Sequence, residues 1–237
     1  MKKKYRPLYI LLVIGLMLGF VTVFLHREYQ EVRMKGDITR FVVEMQEIDK
    51  LCQENRQEDA VRKVHLLQEE MLQVDSPQVR VTILPRLAAI CFSLGLKQEA
   101  RQAFEEGLSL FQQLKIPTAA RVNQMAFLSR VALLLQETEQ ARKLLREAES
   151  HWENLHDGQE KGECGFYLAL SWIDLGEREK VQEKVQILKQ LVEASQDPKW
   201  KLDMEPCIEI LEQAQHEKVM PRSENGNVGE TSPRITP

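Results

Sequence analysis

Apolar residues recur every three or four positions along most of the chain after residue 36, with polar and charged residues between them. One such stretch contains Leu84, Leu87, Ala88 and Cys91. This spacing follows one face of an α-helix, so the pattern predicts a series of amphipathic helices. Runs of β-branched residues bounded by turns, which are typical of strands, do not occur in the sequence after the first 25 residues. The predicted fold is all-α.

Turn-forming residues divide the chain with a period of 40 or 41 positions. One series marks the junctions between units: Pro77, Pro117, Gly158 and Pro198. A second series lies half a period away: Asn55, Gly95, Gln136 and Gly176. Because both series keep the same spacing, they predict an α-solenoid of about four helical hairpins over residues 37–219.

Each hairpin is predicted to contain two helices. The first helices cover approximately Asp37–Glu54, Gln78–Leu94, Thr118–Leu135 and Lys161–Leu175. The second helices cover approximately Gln57–Val74, Lys97–Leu114, Glu137–Leu155 and Glu177–Ala194. A last amphipathic helix from Lys199 to about Val219 follows, and it suits an array whose final open face must be covered.

Pro85 falls inside the first helix of the second hairpin, where proline removes a backbone donor and crowds the preceding turn. Two interpretations stay open: the helix kinks at Pro85, or it begins near Leu84 after an irregular segment. Val79, Thr82 and Ile83 keep helical spacing with the residues that follow, which favours the kink.

Residues 7–25 carry no charged side chain. At about 1.5 Å per residue they are long enough to cross a bilayer, and we expect a transmembrane helix between a basic end at residues 1–6 and a linker at residues 26–36. A cleaved signal peptide is the alternative, but the following sequence lacks the small-residue cleavage pattern. Gly15 and Gly19 form a G-x-x-x-G pair, which lets two such membrane helices approach closely in a homodimer.

Orientation follows from the basic residues before the apolar run, Lys2, Lys3, Lys4 and Arg6. Positive residues favour the cytoplasmic side of a membrane. We therefore expect a single-pass protein of a cell inner membrane, with a cytoplasmic amino terminus and an extracytoplasmic repeat domain. The short basic start and compact anchor are typical of a bacterial envelope protein.

Charge excludes one class of partner. The formal net charge is −4, and the basic start leaves the rest of the chain more acidic still. No basic stripe with interleaved aromatic residues is present in the sequence, so nucleic-acid binding is not expected. Residues 220–237 lack apolar periodicity and contain Pro, Gly, Ser and Asn, which predicts a disordered tail.

The sequence offers no motif for catalysis. Its five histidines form no H-E-x-x-H pair, and neither a phosphate-binding glycine loop nor a nucleophile elbow occurs. The cysteines lack C-x-x-C spacing, although adjacent hairpins would allow two disulfides in an oxidising compartment, Cys52–Cys91 and Cys164–Cys207. We expect no enzyme activity, no metal site and no cofactor.

The second hairpin resembles a tetratricopeptide (TPR) repeat. Its large apolar, small, aromatic and turn positions occur at the offsets of that family: Leu84, Leu87, Ala88, Cys91, Gly95, Ala100, Phe104 and Gly107. The third hairpin is similar, the fourth carries Val181 in place of the alanine, and the first keeps mainly Ala60 and Leu67. The period of about 40 exceeds the usual 34 and resembles the longer-helix branch of kinesin light chains. HEAT-like repeats, whose period also reaches 40, stay as the alternative.

The resemblance implies a scaffold that binds other proteins or peptides along a groove formed by its first helices. The groove-facing residues implied by it are Asp49, Gln53, Phe92, Ser93, Asn123, Arg130, Phe166 and Asp174. The terminal-carboxylate clamp of some branches is expected to be absent, because the corresponding positions include Pro85, Ala89 and Ala126. We expect a membrane-tethered scaffold or adaptor. The alternative is a structural subunit of a larger membrane complex, which would expose a larger apolar patch.

Overall fold

A computed structural model describes residues 34–216, with side chains to residue 214. Every regular element in this part of the chain is helical. The chain divides into two compact units between Asn154 and Leu155. The all-α repeat predicted from the sequence is therefore confirmed, and each unit is described by itself.

The first unit contains, from residue 34 onward, six helices that form three hairpins. Their bounds are residues 34–53 (α1), Gln57–Leu72 (α2), Pro77–Ser93 (α3), Lys97–Gln113 (α4), Thr118–Leu134 (α5) and Thr138–Glu153 (α6). The described part of α1 includes residues 34–36, which the sequence pattern assigned to a linker. Ion pairs join α1 to α2: Lys63 pairs with Glu44 at 2.8 Å and also with Glu47, and Arg40 pairs with Glu70 at 3.3 Å.

Up to residue 216, the second unit contains three helices, Gly158–Asp174 (α7), Arg178–Ala194 (α8) and Pro198–His216 (α9). Helix α7 begins three residues before its predicted start at Lys161, because Asp157 caps it. The Asp157 carboxylate accepts hydrogen bonds from the backbone N–H groups of Gln159 and Glu160, both at 2.9 Å. Such caps satisfy donors that have no partner within the helix.

Asp197 performs the same task for α9 and also joins that helix to α7. Its carboxylate accepts from the backbone N–H groups of Lys199 at 2.9 Å and Trp200 at 3.2 Å, and from the Gln159 side chain at 3.0 Å. The hydrogen bonds from the Trp200 backbone and the Gln159 amide lower the pKa of Asp197 below its usual range. Sequence-distant α7 and α9 thus start side by side.

The turns within the four hairpins share one backbone conformation. Asn55, Gly95, Gln136 and Gly176 have φ angles of 59°, 80°, 65° and 76°. These are the four residues that the half-period series identified. A positive φ suits glycine and is tolerated by asparagine, whereas it is uncommon for glutamine. The same turn geometry therefore recurs in all four hairpins, although asparagine or glutamine takes the place of glycine in two of them.

Helix α3 runs without interruption from Pro77 through Pro85 to Ser93. The interpretation in which a helix begins near Leu84 is therefore wrong. Proline at position 85 leaves the carbonyl oxygen of Val81 without its usual intrahelical donor. The side-chain amide of Gln124, on α5, donates to that oxygen at 2.8 Å. A neighbouring hairpin thus supplies the hydrogen bond that Pro85 removes.

Small residues lie in the core of each hairpin of the first unit, at the positions that carry the TPR resemblance. Ala60, Ala100 and Ala141 are fully buried at the start of the second helices, and Phe104 and Leu145 are buried beside them. Gly107 is also buried, and an ideal Cβ there would lie 3.2 Å from Pro85. Because alanine and glycine have little or no side chain, the paired helices can approach each other closely at these positions.

The fold class that included a transmembrane helix is corrected by the structure. Among residues 34–216, no helix is both long enough and apolar enough to cross a bilayer. The inner-membrane localisation, which depended on such a helix, is corrected for the same reason. The predicted anchor at residues 7–25 and its proposed contact residues Gly15 and Gly19 lie outside the described residues, as does the tail at residues 220–237.

Candidate functional site

The residues that the resemblance placed in a groove all lie on first helices. In the first unit, α1 carries Asp49 and Gln53, α3 carries Phe92 and Ser93, and α5 carries Asn123 and Arg130. In the second unit, α7 carries the remaining two, Phe166 and Asp174. The structure thus distributes the predicted groove over both units, and only the six residues of the first unit belong to one described body.

Exposure separates these residues into two groups. Those with exposed side chains are Asp49, Gln53, Ser93 and Asp174. Those that are half-buried are Phe92, Asn123, Arg130 and Phe166. The half-buried group combines aromatic, amide and guanidinium side chains, which are typical of protein-binding surfaces.

Helices α3 and α5 are held side by side through polar contacts near this face. The Arg86 guanidinium lies 5.3 Å from the centre of the Phe127 ring, a cation–π distance, and Arg86 also donates to the Thr82 carbonyl at 2.6 Å. Together with the bond between Gln124 and Val81, these contacts fix the two first helices relative to each other. The face that they share is therefore positioned before any partner binds.

A cavity of about 510 Å³ opens at the turn end of the second and third hairpins. Two apolar residues line it: Phe92 at the end of α3 and Leu135 in the α5–α6 turn. Its remaining lining residues are polar: Lys97, Gln98, Arg101, Gln102 and Glu105 from α4, and Gln136 from the turn. Of the predicted groove residues, Phe92 alone lines this cavity.

The turn that carries Gln136 is joined to α4 by an ion pair. Arg101 Nε lies 3.5 Å from a carboxylate oxygen of Glu137, the residue just before α6. Arg101 is largely exposed, so this pair adds little stability. Its effect is to orient the turn residues that form one wall of the cavity.

Large exposed apolar side chains are scattered over the described residues. They are Val43 on α1, Leu66 and Leu72 on α2, Tyr167 on α7, and Leu202 and Ile210 on α9. None of them lies on helices α3 to α6. The surface of the second and third hairpins is therefore mainly polar, apart from half-buried residues such as Phe92.

Within residues 34–216, the structure shows neither a candidate metal-ligand cluster nor a disulfide. No group of three histidine, cysteine or acidic side chains in this range is arranged to hold a metal ion. All four cysteines are free, so neither proposed disulfide is formed. Burial raises the pKa of both the Cys91 and Cys164 thiols to about 12, which leaves them unreactive at neutral pH.

No protein-family model matches the chain, and no curated protein matches it. Among the solved structures that are similar to it in part are the following two. Ton1535 from Thermococcus onnurineus NA1 has a TM-score of 0.49 and 17% identity, over 73% of this chain. The match covers 47% of Ton1535, so the chain spans about half the length of that neighbour.

The second similar structure is described as a putative kinesin light chain of Podospora anserina with nearly identical TPR-like repeats. It has a TM-score of 0.47 and 18% identity, over 75% of this chain and 87% of its own length. Neither similarity assigns this chain to a family or identifies a partner.

Sequence reasoning missed the polar face of α4 that lines the cavity. The resemblance places the groove on first helices, so residues of second helices such as α4 were not predicted to bind a partner. The missed signal was present: positions 97, 98, 101, 102 and 105 repeat with helical spacing opposite the buried Ala100, Ala103 and Phe104. A polar helical face alone is usually only a solvated surface, so the pattern did not distinguish this one.

Proposed function

We propose that this protein is a scaffold that binds other proteins through its helical hairpins. The observation that carries the proposal is the preformed face of α3 and α5, which includes half-buried Phe92, Asn123 and Arg130. Of these three residues, Phe92 also lines the cavity. Half-buried aromatic and arginine side chains bury further on binding and lose little conformational freedom, as binding hot spots require.

In the first unit, the proposed binding face comprises the six predicted residues, with Asp49, Gln53 and Ser93 as its exposed polar rim. In the second unit, Phe166 and Asp174 on α7 are proposed as contact residues by themselves. A polar rim around partly buried anchors is the usual anatomy of a non-obligate interface. The partners are therefore expected to be other proteins or peptides that associate reversibly.

A permanent structural subunit is the second candidate. Such a subunit would carry a large contiguous apolar surface. The exposed large apolar residues of the described chain lie on four helices, α1, α2, α7 and α9, and leave α3 to α6 polar. This distribution supports the reversible scaffold for the second and third hairpins.

Site-specific photo-crosslinking tests the proposed face. A photoreactive amino acid is introduced into the full-length chain at Gln53 or Ser93 on the face, and at Gln112 on α4 as a matched exposed control. We expect discrete crosslinked proteins in the native host from the first two positions and none from Gln112. Equal crosslinking at all three positions, or none at any, would contradict the proposal.

A further inference from the structure

Helix α4 presents five exposed side chains to the cavity, and three glutamines line it in total. Gln98 and Gln102 lie one turn apart on α4, and Gln136 lies across the cavity in the α5–α6 turn. Each glutamine amide offers a hydrogen-bond acceptor and two donors. A wall of such groups matches the alternating N–H and C=O groups of an extended peptide backbone.

The apolar part of the cavity provides a place for one side chain of that peptide. Half-buried Phe92 forms one part of the lining, and Leu135 of the α5–α6 turn forms another. The volume of about 510 Å³ is within the range of pockets that enclose a ligand group. An aliphatic or aromatic side chain that covers Phe92 removes apolar surface of both molecules from water.

The charges at the cavity favour an acidic group at one end. Arg101 is already paired with Glu137, whereas Lys97 has no ion-pair partner among the described residues. Lys97 is also the first residue of α4, whose N-cap residue Leu96 makes no side-chain hydrogen bond to the helix. The positive end of the helix dipole and the Lys97 ammonium therefore attract the same negative charge.

These features exclude a polyanion as the preferred occupant. Glu105 lines the same cavity, and Glu137 neutralises Arg101 at its edge. A phosphate backbone would meet one unpaired cation together with two carboxylates, which repel it. A single peptide carboxylate placed near Lys97, about two helical turns from Glu105 in the middle of α4, reduces that repulsion.

We propose that this cavity binds an extended peptide segment of a partner protein, with an apolar side chain over Phe92 and a carboxylate beside Lys97. The proposal rests on the scaffold function above and adds the chemistry of what is bound. It also assigns partner contacts to α4, the second helix of its hairpin, in addition to the face formed by first helices.

Synthetic peptides of eight residues provide the probe. The parent peptides are capped at both ends and contain one Leu and one Asp, separated by zero, one or two serines in a Gly-Ser background. They are titrated to millimolar concentration against the full-length chain, and the side-chain amide NMR signals of glutamine are observed. We expect shifts for Gln98, Gln102 and Gln136, and none for Gln112 and Gln113 on the same helix.

Two changes in the peptide test its assigned chemistry. Replacing Leu by Ser should weaken binding by about tenfold or more, because the apolar anchor is lost. Replacing Asp by Lys should also weaken binding, and the variant Lys97→Glu should reverse that preference. Unchanged affinity for the Lys peptide, in both the wild-type chain and Lys97→Glu, would overturn the assigned orientation.

A double substitution in the protein separates the cavity from the rest of the face. Gln98→Ala with Gln102→Ala should weaken binding about tenfold, whereas the matched pair Gln112→Ala with Gln113→Ala should not change it. All four side chains are exposed, so both variants should fold. Equal losses in the two variants, or no binding of any peptide, would overturn the cavity proposal. Crosslinking from Ser93 in the same preparation would still report separately on the scaffold function.

Discussion

Both units of this protein contain a glycine that lies against a ring from another helix, but the two contacts differ in tightness and in origin. In the first unit, an ideal Cβ at Gly107 would lie 3.2 Å from Pro85 and from the Leu84 side chain. In the second unit, an ideal Cβ at Gly162 would lie 2.5 Å from the Trp200 ring. Real Cβ atoms do not occur at the second distance, whereas the first requires only a small movement.

The repeat pattern explains one of these glycines and not the other. The position of Gly107 recurs in the next hairpin, where buried Ala148 occupies it, so a small residue belongs to the repeat. The position of Gly162 corresponds to Arg121 in the preceding hairpin, one period earlier. The contact of Gly162 with Trp200 is therefore a local solution, by which the terminal helix α9 packs against α7.

Gly162→Ala should have the largest effect on stability. The added Cβ cannot fit without moving the buried Trp200 ring, so we expect an overpacking cost of about 4 kcal/mol, above the typical range. Replacing a glycine within a helix returns about 1 kcal/mol, which leaves a net loss of about 3 kcal/mol. Denaturant unfolding followed by circular dichroism measures it. In a Trp200→Leu background, Gly162→Ala should cost less than it does in the wild-type chain, because the ring that the added Cβ meets is gone. A cost below about 1 kcal/mol would mean that α9 can shift freely.

Gln124→Ala tests the contact that accompanies Pro85 in the first unit. The Val81 carbonyl would lose its donor, and an unpaired polar group of this kind costs about 1–3 kcal/mol. In a Pro85→Ala background the backbone N–H of residue 85 returns, so the cost of Gln124→Ala should fall below about 1 kcal/mol. Thermodynamic double-mutant cycles measure this coupling. Additive losses would contradict the compensation.

Gly107→Ala should lower the free energy of unfolding by less than Gly162→Ala does. Overpacking against Pro85 costs about 1–3 kcal/mol, while replacing glycine within a helix returns about 1 kcal/mol. We expect a net loss of about 1 kcal/mol in the free energy of unfolding. A loss as large as that of Gly162→Ala would show that the repeat position is no more tolerant than the local contact.

Gln136→Gly should give the smallest change and increase stability. The left-handed conformation of Gln136 costs about 1–2 kcal/mol. Glycine removes this cost, and its greater freedom in the unfolded chain offsets about 0.4–1 kcal/mol. We expect a net gain of about 0.5–1 kcal/mol in the same unfolding measurement. The reverse change at the equivalent turn, Gly95→Gln, should give a loss of similar size.

Periodic features were predictable from the sequence, because each is repeated and local. The spacing of Asn55, Gly95, Gln136 and Gly176 identified the turns, and small residues such as Ala100 identified the close helix contacts. Gly162 with Trp200, and Gln124 with Val81, depend on which side chains meet between helices that are not adjacent in sequence. A period fixes helix order but not these pairings, so the structure was needed to find them.

The candidate site was predictable only in part. The first-helix positions, such as Phe92 and Arg130, followed from the resemblance, and the structure places them on first helices. The cavity depends on how the α5–α6 turn lies against α4, which no single hairpin encodes. Hydrophobicity alone predicted a transmembrane helix, but a run of apolar residues does not specify whether it becomes one. The described chain contains no such helix.

The short reach of the contacts has a consequence for how the chain folds. The hydrogen bond between Gln124 and Val81 spans 43 positions, and the one between Gln159 and Asp197 spans 38. Chains dominated by contacts of short sequence separation fold rapidly, since little loop entropy is lost in closing them. During synthesis, α3 therefore needs only the next hairpin, and α7 needs only α9, for these contacts to form. We therefore expect each part of the chain to fold during synthesis, once about 40 further residues, one repeat period, have left the ribosome.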